Sequence, residues 1–261
     1  MKYWIVAMML LVPAFSSESS MSEKVQTGFV KHEIDLDGER YSYQVFVPRT
    51  WTADKHWPVI LFLHGAGERG SDGDHQAEVG IGPAIRRDED SFPAVVVMPQ
   101  CRNGVWWNDS KMEQLVTATL EHSIEQFNGD RDRVYLTGLS MGGYGTLYFG
   151  AKHPGKFAAL APVCGGVIPP RQLRQSPTDS LAPYLEVAER IKGTPTWFFH
   201  GSADRRVPAS ESRKMVEALK EVGGKVKYTE YQGVSHNSWD AAYAEPELVP
   251  WLLSKQLQQS E

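Results

Sequence analysis

The chain has 261 residues and a formal net charge of -5, with 41% of its residues hydrophobic and 23% charged. That composition supplies a large core for one globular domain. The mild acidity and the lack of a basic stripe argue against a nucleic-acid partner and suit a protein that stays in solution.

The chain opens with Lys2 and an almost wholly apolar run from Tyr3 to Phe15, followed by Ser16-Ser17-Glu18-Ser19-Ser20. The run is too short to span a bilayer and has the layout of a secretory signal, with small residues Ala14 and Ser16 near a cleavage point. We therefore expect a signal peptide over 1–20 and a single domain over 21–261, in a secreted or periplasmic protein that does not engage the membrane once the signal is removed. The alternative is a cytoplasmic protein whose translation starts at Met21. No cysteine lies in the leader to carry a lipid.

Phe29 to Asp35 and Glu39 to Val47 alternate apolar and polar residues around Asp37-Gly38, which predicts a β-hairpin. Short, nearly continuous apolar runs follow at Pro58 to Leu63, Ala94 to Met98, Val134 to Thr137, Ala158 to Val163, Thr196 to Phe199 and Val226 to Tyr231. Strands buried on both faces have this character. Met112, Leu115, Val116, Thr119 and Leu120 recur at helical spacing, as do Val216, Leu219 and Lys220 after Ser210. Strands alternating with helices predict an α/β fold with a mostly parallel sheet and right-handed crossovers. The polar, Pro-rich stretch from Gly166 to Gly193, with a helix-like Leu181 to Ile191, reads equally as a small cap or a surface excursion.

Gly138-Leu139-Ser140-Met141-Gly142 matches G-x-S-x-G, preceded by a predicted strand and followed by a predicted helix. A sharp strand-to-helix turn exposes the serine, and the helix N-terminus favours developing negative charge beside it. A serine hydroxyl needs a base to become a nucleophile. Of the eight histidines, His32, His56, His75, His122 and His153 lack a strand-end context, and His64 and His200 read as residues that shape loops. His236 lies in the loop after the last strand. Asp204 follows the strand ending at His200-Gly201, so the order is serine, acid, histidine. The rival acids fit less well: Asp240 comes after the histidine and Glu230 lies within a strand.

The expected roles are Ser140 as nucleophile, His236 as general base and Asp204 as its orienting acid. Acyl transfer also needs preorganised donors for an oxyanion. The N–H of Met141 and one from the loop after Leu63 fit, with Ala66 preferred and Gly67 the neighbouring choice. Trp106, Trp107 and Trp239 are candidate substrate contacts through their aromatic faces. No phosphate loop or metal-ligand spacing is present, so neither cofactor nor metal is expected.

Four strings carry a resemblance: Leu61-Phe62-Leu63-His64-Gly65-Ala66-Gly67-Glu68-Arg69-Gly70, Gly138-Leu139-Ser140-Met141-Gly142-Gly143-Tyr144-Gly145, His200-Gly201-Ser202-Ala203-Asp204 with Val207-Pro208, and His236-Asn237-Ser238-Trp239-Asp240. Over residues 28 to 253 the chain resembles the phospholipase/carboxylesterase and dienelactone-hydrolase-like branch of the α/β-hydrolases, whose secreted members include feruloyl and acetyl-xylan esterase-like proteins and predicted peptidases. The dienelactone enzymes proper use a cysteine where this chain has Ser140. The resemblance implies an α/β-hydrolase fold of about eight strands in the order 1-2-4-3-5-6-7-8, with helices on both faces. In that order two strands separate the ends that carry Cys101 and Cys164, roughly 14 Å at about 4.8 Å per strand, so two unpaired thiols are expected. It also implies a serine carboxylesterase; the Trp106-Trp107 loop and the short Gly166 to Gly193 excursion point to a compact, partly aromatic pocket and so to small-molecule or saccharide esters with small or aromatic acyl groups. The alternatives are a serine peptidase and a non-catalytic binding protein on the same scaffold. The sequence does not fix the oligomeric state.

Overall fold

The computed structural model describes residues 25–171 and 180–257. The expected signal peptide and the middle of the Gly166 to Gly193 stretch lie outside the described residues. Strands β1 (Gly28–Leu36) and β2 (Glu39–Val47) pair antiparallel, with Leu36 opposite Glu39. Asp37 and Gly38 form the two-residue turn between them, both at positive φ (51° and 79°), as a primed hairpin turn requires. The buried runs form β3 (Trp57–Leu63), β4 (Val95–Pro99), β5 (Gly129–Leu139), β6 (Ala159–Val163), β7 (Thr196–Gly201) and β8 (Val226–Tyr231). Together they make one eight-stranded sheet, ordered β1-β2-β4-β3-β5-β6-β7-β8. All pairings from β4 to β8 are parallel. This is the expected fold class and strand order.

β5 begins well before the expected Val134. Its first residues, Gly129-Asp130-Arg131-Asp132-Arg133, are too polar to read as a strand, and an irregularity interrupts their pairing with β3. A local ion pair between Arg133 Nε and Asp130 Oδ2 at 2.7 Å stabilises that irregular start.

Side chains alternate across the sheet and feed two cores. Val59, Leu61 and Leu63 of β3 point into one, with α2 (Ser110–Gln126), α3 (Met141–Lys152), α4 (Ala182–Ile191) and α5 (Ser210–Glu221). Ile60 and Phe62 point into the other, covered by α1 (Ile81–Arg87), α6 (Trp239–Ala242) and α7 (Leu248–Leu253). Cys101 and Cys164 are buried and unpaired. No helix among the described residues is long and apolar enough to cross a membrane.

Candidate active site

Ser140 sits between β5 and α3 with φ 52° and ψ -115°, a conformation that costs a non-glycine residue about 1–3 kcal/mol. The neighbouring backbone enforces it. A Cβ on Gly142 would lie 1.8 Å from the Leu63 carbonyl oxygen, and one on Gly138 2.4 Å from the Gly142 oxygen. The chain can therefore turn this sharply only where the motif places glycine. The Ser140 N–H donates to Val163 O at 2.9 Å, which anchors the turn to β6.

Two further loops bring the partners in. Gly201, at the end of β7, presses against the loop after β8, where a Cβ would meet Val234 O at 2.3 Å. The Ala203 N–H donates to Val234 O at 3.0 Å. These contacts place Asp204 beside His236. Ser140 Oγ lies 2.9 Å from His236 Nε2, and His236 Nδ1 lies 2.7 Å from Asp204 Oδ2. The structure thus joins all three expected residues in one hydrogen-bonded chain.

The Asp204 side chain is fully buried. Burial by itself opposes its ionisation. Hydrogen bonds from His200, His236 and the Val207 N–H outweigh that cost and hold the carboxyl well below the usual carboxylate range. Its Oδ1 also accepts the N–H groups of Arg206 and Val207 at 2.8 and 3.0 Å. An ionised Asp204 accepts the Nδ1–H of His236, which leaves Nε2 with a lone pair aimed at the serine hydroxyl. The arrangement can take a proton from Ser140 Oγ as that oxygen attacks an electrophile. His200 lies on the far side of the acid. Its Nε2 is 3.0 Å from Val207 O and 3.3 Å from Asp204 Oδ2, and its Nδ1 is 2.7 Å from Ser212 Oγ. Of the rival acids, Glu230 is paired with Arg213, its Oε1 2.5 Å from Arg213 Nη2, and Asp240 contacts Asn237.

As the first residue of α3, Met141 has an N–H with no acceptor inside its own helix. Ala66 opens a single 3-10 turn, Ala66–Glu68, and is exposed. His64 braces that loop. Its Nε2 accepts the Cys101 N–H at 2.9 Å, and its Nδ1 lies 2.6 Å from Gly65 O.

The three tryptophans take different places. Trp107 is buried, and its indole N–H donates to His64 O at 3.0 Å, so it also holds the loop. Trp106 is half-buried with its ring edge-on to Tyr144, centroids 5.8 Å apart. Trp239 stands edge-on to His236 at 5.4 Å. Trp106 and part of Trp107 line a cavity of about 630 Å³ next to Met141, with Tyr144, Tyr148, Val167 and Val187 among its other walls. The Gly166 to Gly193 stretch thus contributes a side wall through Val167 and Val187. Sequence reading missed Tyr144 and Val187 as wall residues, because their helical spacing marks only a buried face.

Among the described residues, one group could in principle gather a metal: Cys164, Asp204 and His236, with ligand atoms within 4.8 Å of one another. Asp204 and His236 already bond each other, and burial pushes the Cys164 thiol up to about 12.

The phospholipase/carboxylesterase family model matches residues 94–245, a span that holds Ser140, Asp204 and His236. The chain belongs to this family of α/β-hydrolases. Among relatives of this carboxylesterase-family chain, a thermostable esterase is 33% identical, with a TM-score of 0.75 over 87% of this chain and 63% of the esterase. A ferulic acid esterase shares the fold, with a TM-score of 0.70 at 18% identity over 88% of this chain and 99% of its own. An uncharacterized secreted protein of Arthroderma benhamiae is 28% identical over 207 residues, which is 69% of this chain and 21% of that protein. The family chain therefore spans about a fifth of that relative and less than two thirds of the thermostable esterase.

Proposed function

We propose that this protein is a serine-dependent carboxylic ester hydrolase that works through an acyl-enzyme. The observation that carries the reading is the hydrogen-bonded chain from Asp204 through His236 to Ser140. Ser140 Oγ attacks the ester carbonyl while His236 Nε2 takes its proton. The carbonyl oxygen becomes an oxyanion held by the N–H groups of Met141 and Ala66. His236 returns the proton to the departing alkoxide. A water molecule then attacks the acyl-enzyme, again giving its proton to His236, and the acid leaves as Ser140 is regenerated.

Small or aromatic esters, saccharide-linked ones included, suit the aromatic cavity beside Met141. A ferulic acid esterase among the fold relatives is consistent with that range. The apolar leader and the secreted relative support action outside the cytoplasm by one domain over 21–261. Translation from Met21 would instead leave the protein cytoplasmic.

Ser140→Ala is expected to lower kcat for p-nitrophenyl acetate by about 10⁵-fold or more with an unchanged circular dichroism spectrum. Activity at the wild-type level in that variant rejects the assignment. A fluorophosphonate that labels wild type and not Ser140→Ala separates an enzyme from a non-catalytic scaffold. We also expect methyl ferulate or p-nitrophenyl acetate to exceed a peptide anilide in kcat/KM. A higher value for the anilide would put the peptidase reading first.

A further inference from the structure

Three arginines among the described residues are half-buried: Arg69, Arg102 and Arg133. Two of them face a carboxylate, Arg102 Nε at 3.4 Å from Glu39 and Arg133 Nε at 2.7 Å from Asp130. Arg69 forms no ion pair with any described residue. Its Nε is buried without a hydrogen-bond partner, one Nη contacts the Met141 sulfur at 2.9 Å, and the guanidinium also hydrogen-bonds the Cys101 side chain. The guanidinium lies 5.9 Å from the centre of the Trp106 ring. No ion pair joins it to the acids nearest in sequence or at the cavity rim: Asp109 caps α2 by accepting the Lys111 N–H at 3.0 Å, and Glu68 keeps its Oε2 buried without a hydrogen-bond partner.

An arginine that is partly desolvated and lacks a counter-charge pays for burial without recompense. Contact with a thioether and an indole face offsets only part of that cost. Met141 and Trp106, the two side chains beside the Arg69 guanidinium, both line the aromatic cavity, whose wall also carries the exposed Arg171. The planar fork of arginine suits a carboxylate, which it can hold by two parallel hydrogen bonds.

We propose that Arg69 anchors a carboxylate on the substrate, so that the site selects esters combining an apolar or aromatic body with a free carboxylate. The hydrolytic half of this rests on the ester-hydrolase reading; the binding half does not. Calorimetric titration with 3-phenylpropanoate and its neutral counterpart 3-phenylpropanamide tests the binding half. Wild type is expected to bind the carboxylate about tenfold more tightly than the amide. Arg69→Gln should erase most of that preference, and Arg69→Lys, which keeps the charge and loses the fork, should fall between. Equal affinities in wild type overturn the proposal whether or not the variants fold. A preference that survives in a folded Arg69→Gln also overturns it, because the carboxylate would then sit on Arg171 or on the backbone N–H groups beside Ser140.

Turnover supplies the second arm. The ratio of kcat/KM for the mono-p-nitrophenyl ester of glutaric acid to that for p-nitrophenyl butyrate should fall at least about tenfold in Arg69→Gln. If neither ester is turned over while the Arg69-dependent binding holds, the hydrolase reading fails and the carboxylate site stands.

Discussion

His64 is held in one protonation state by its surroundings. The Cys101 N–H points at Nε2, so that nitrogen must accept, and Gly65 O takes the proton on Nδ1. Burial pushes the imidazole down to about 4 from 6.5. As pH falls below about 6.5, the unfolded chain takes up a proton that the folded chain refuses until about 4. Stability is therefore lost across that window, at up to about 1.4 kcal/mol per pH unit from this group. Urea unfolding of wild type and His64→Gln at pH 7, 5.5 and 4.5 checks this. The variant should show the shallower decline, and parallel declines would clear His64 of the effect. Because the same ring braces the Ala66 loop, the proposed oxyanion donors should loosen in step with that loss.

At the scale of the element, the turn from β5 into α3 depends on backbone packing against backbone. Gly142→Ala would place a methyl within 1.8 Å of Leu63 O, so we expect at least about 3 kcal/mol of destabilisation in urea. A loss below 1 kcal/mol would mean that β3 can move aside. This turn was legible in the sequence, because its glycines mark the very spots where no side chain fits. The β1-β2 hairpin was legible for a similar reason, through Asp37-Gly38 and strict alternation. By contrast α1, α6 and α7 were not read. Gly82 and Pro83 break the helical pattern of α1, Pro250 does the same for α7, and α6 is only four residues long. The free guanidinium of Arg69 was equally invisible, although the residue stood inside a quoted motif, because a missing counter-charge appears only when distant segments meet.

At the scale of the whole molecule, both cores share every central strand of the sheet, and neither can unfold while leaving the other intact. Urea transitions followed by tryptophan fluorescence, far-ultraviolet circular dichroism and ester hydrolysis are expected to coincide. Separate midpoints would show that one face detaches before the other. The strand order came from the family resemblance, since apolar runs identify buried strands without saying which ones are neighbours. That order also sets the fate of Cys101 and Cys164. Both are buried, and burial pushes each thiol up to about 12, so almost no thiolate exists at neutral pH to attack an oxidant or a disulfide. The folded chain is thus indifferent to the redox poise of its compartment. It needs no oxidative folding catalyst to mature, and an oxidising exterior gives it no mixed disulfides to resolve.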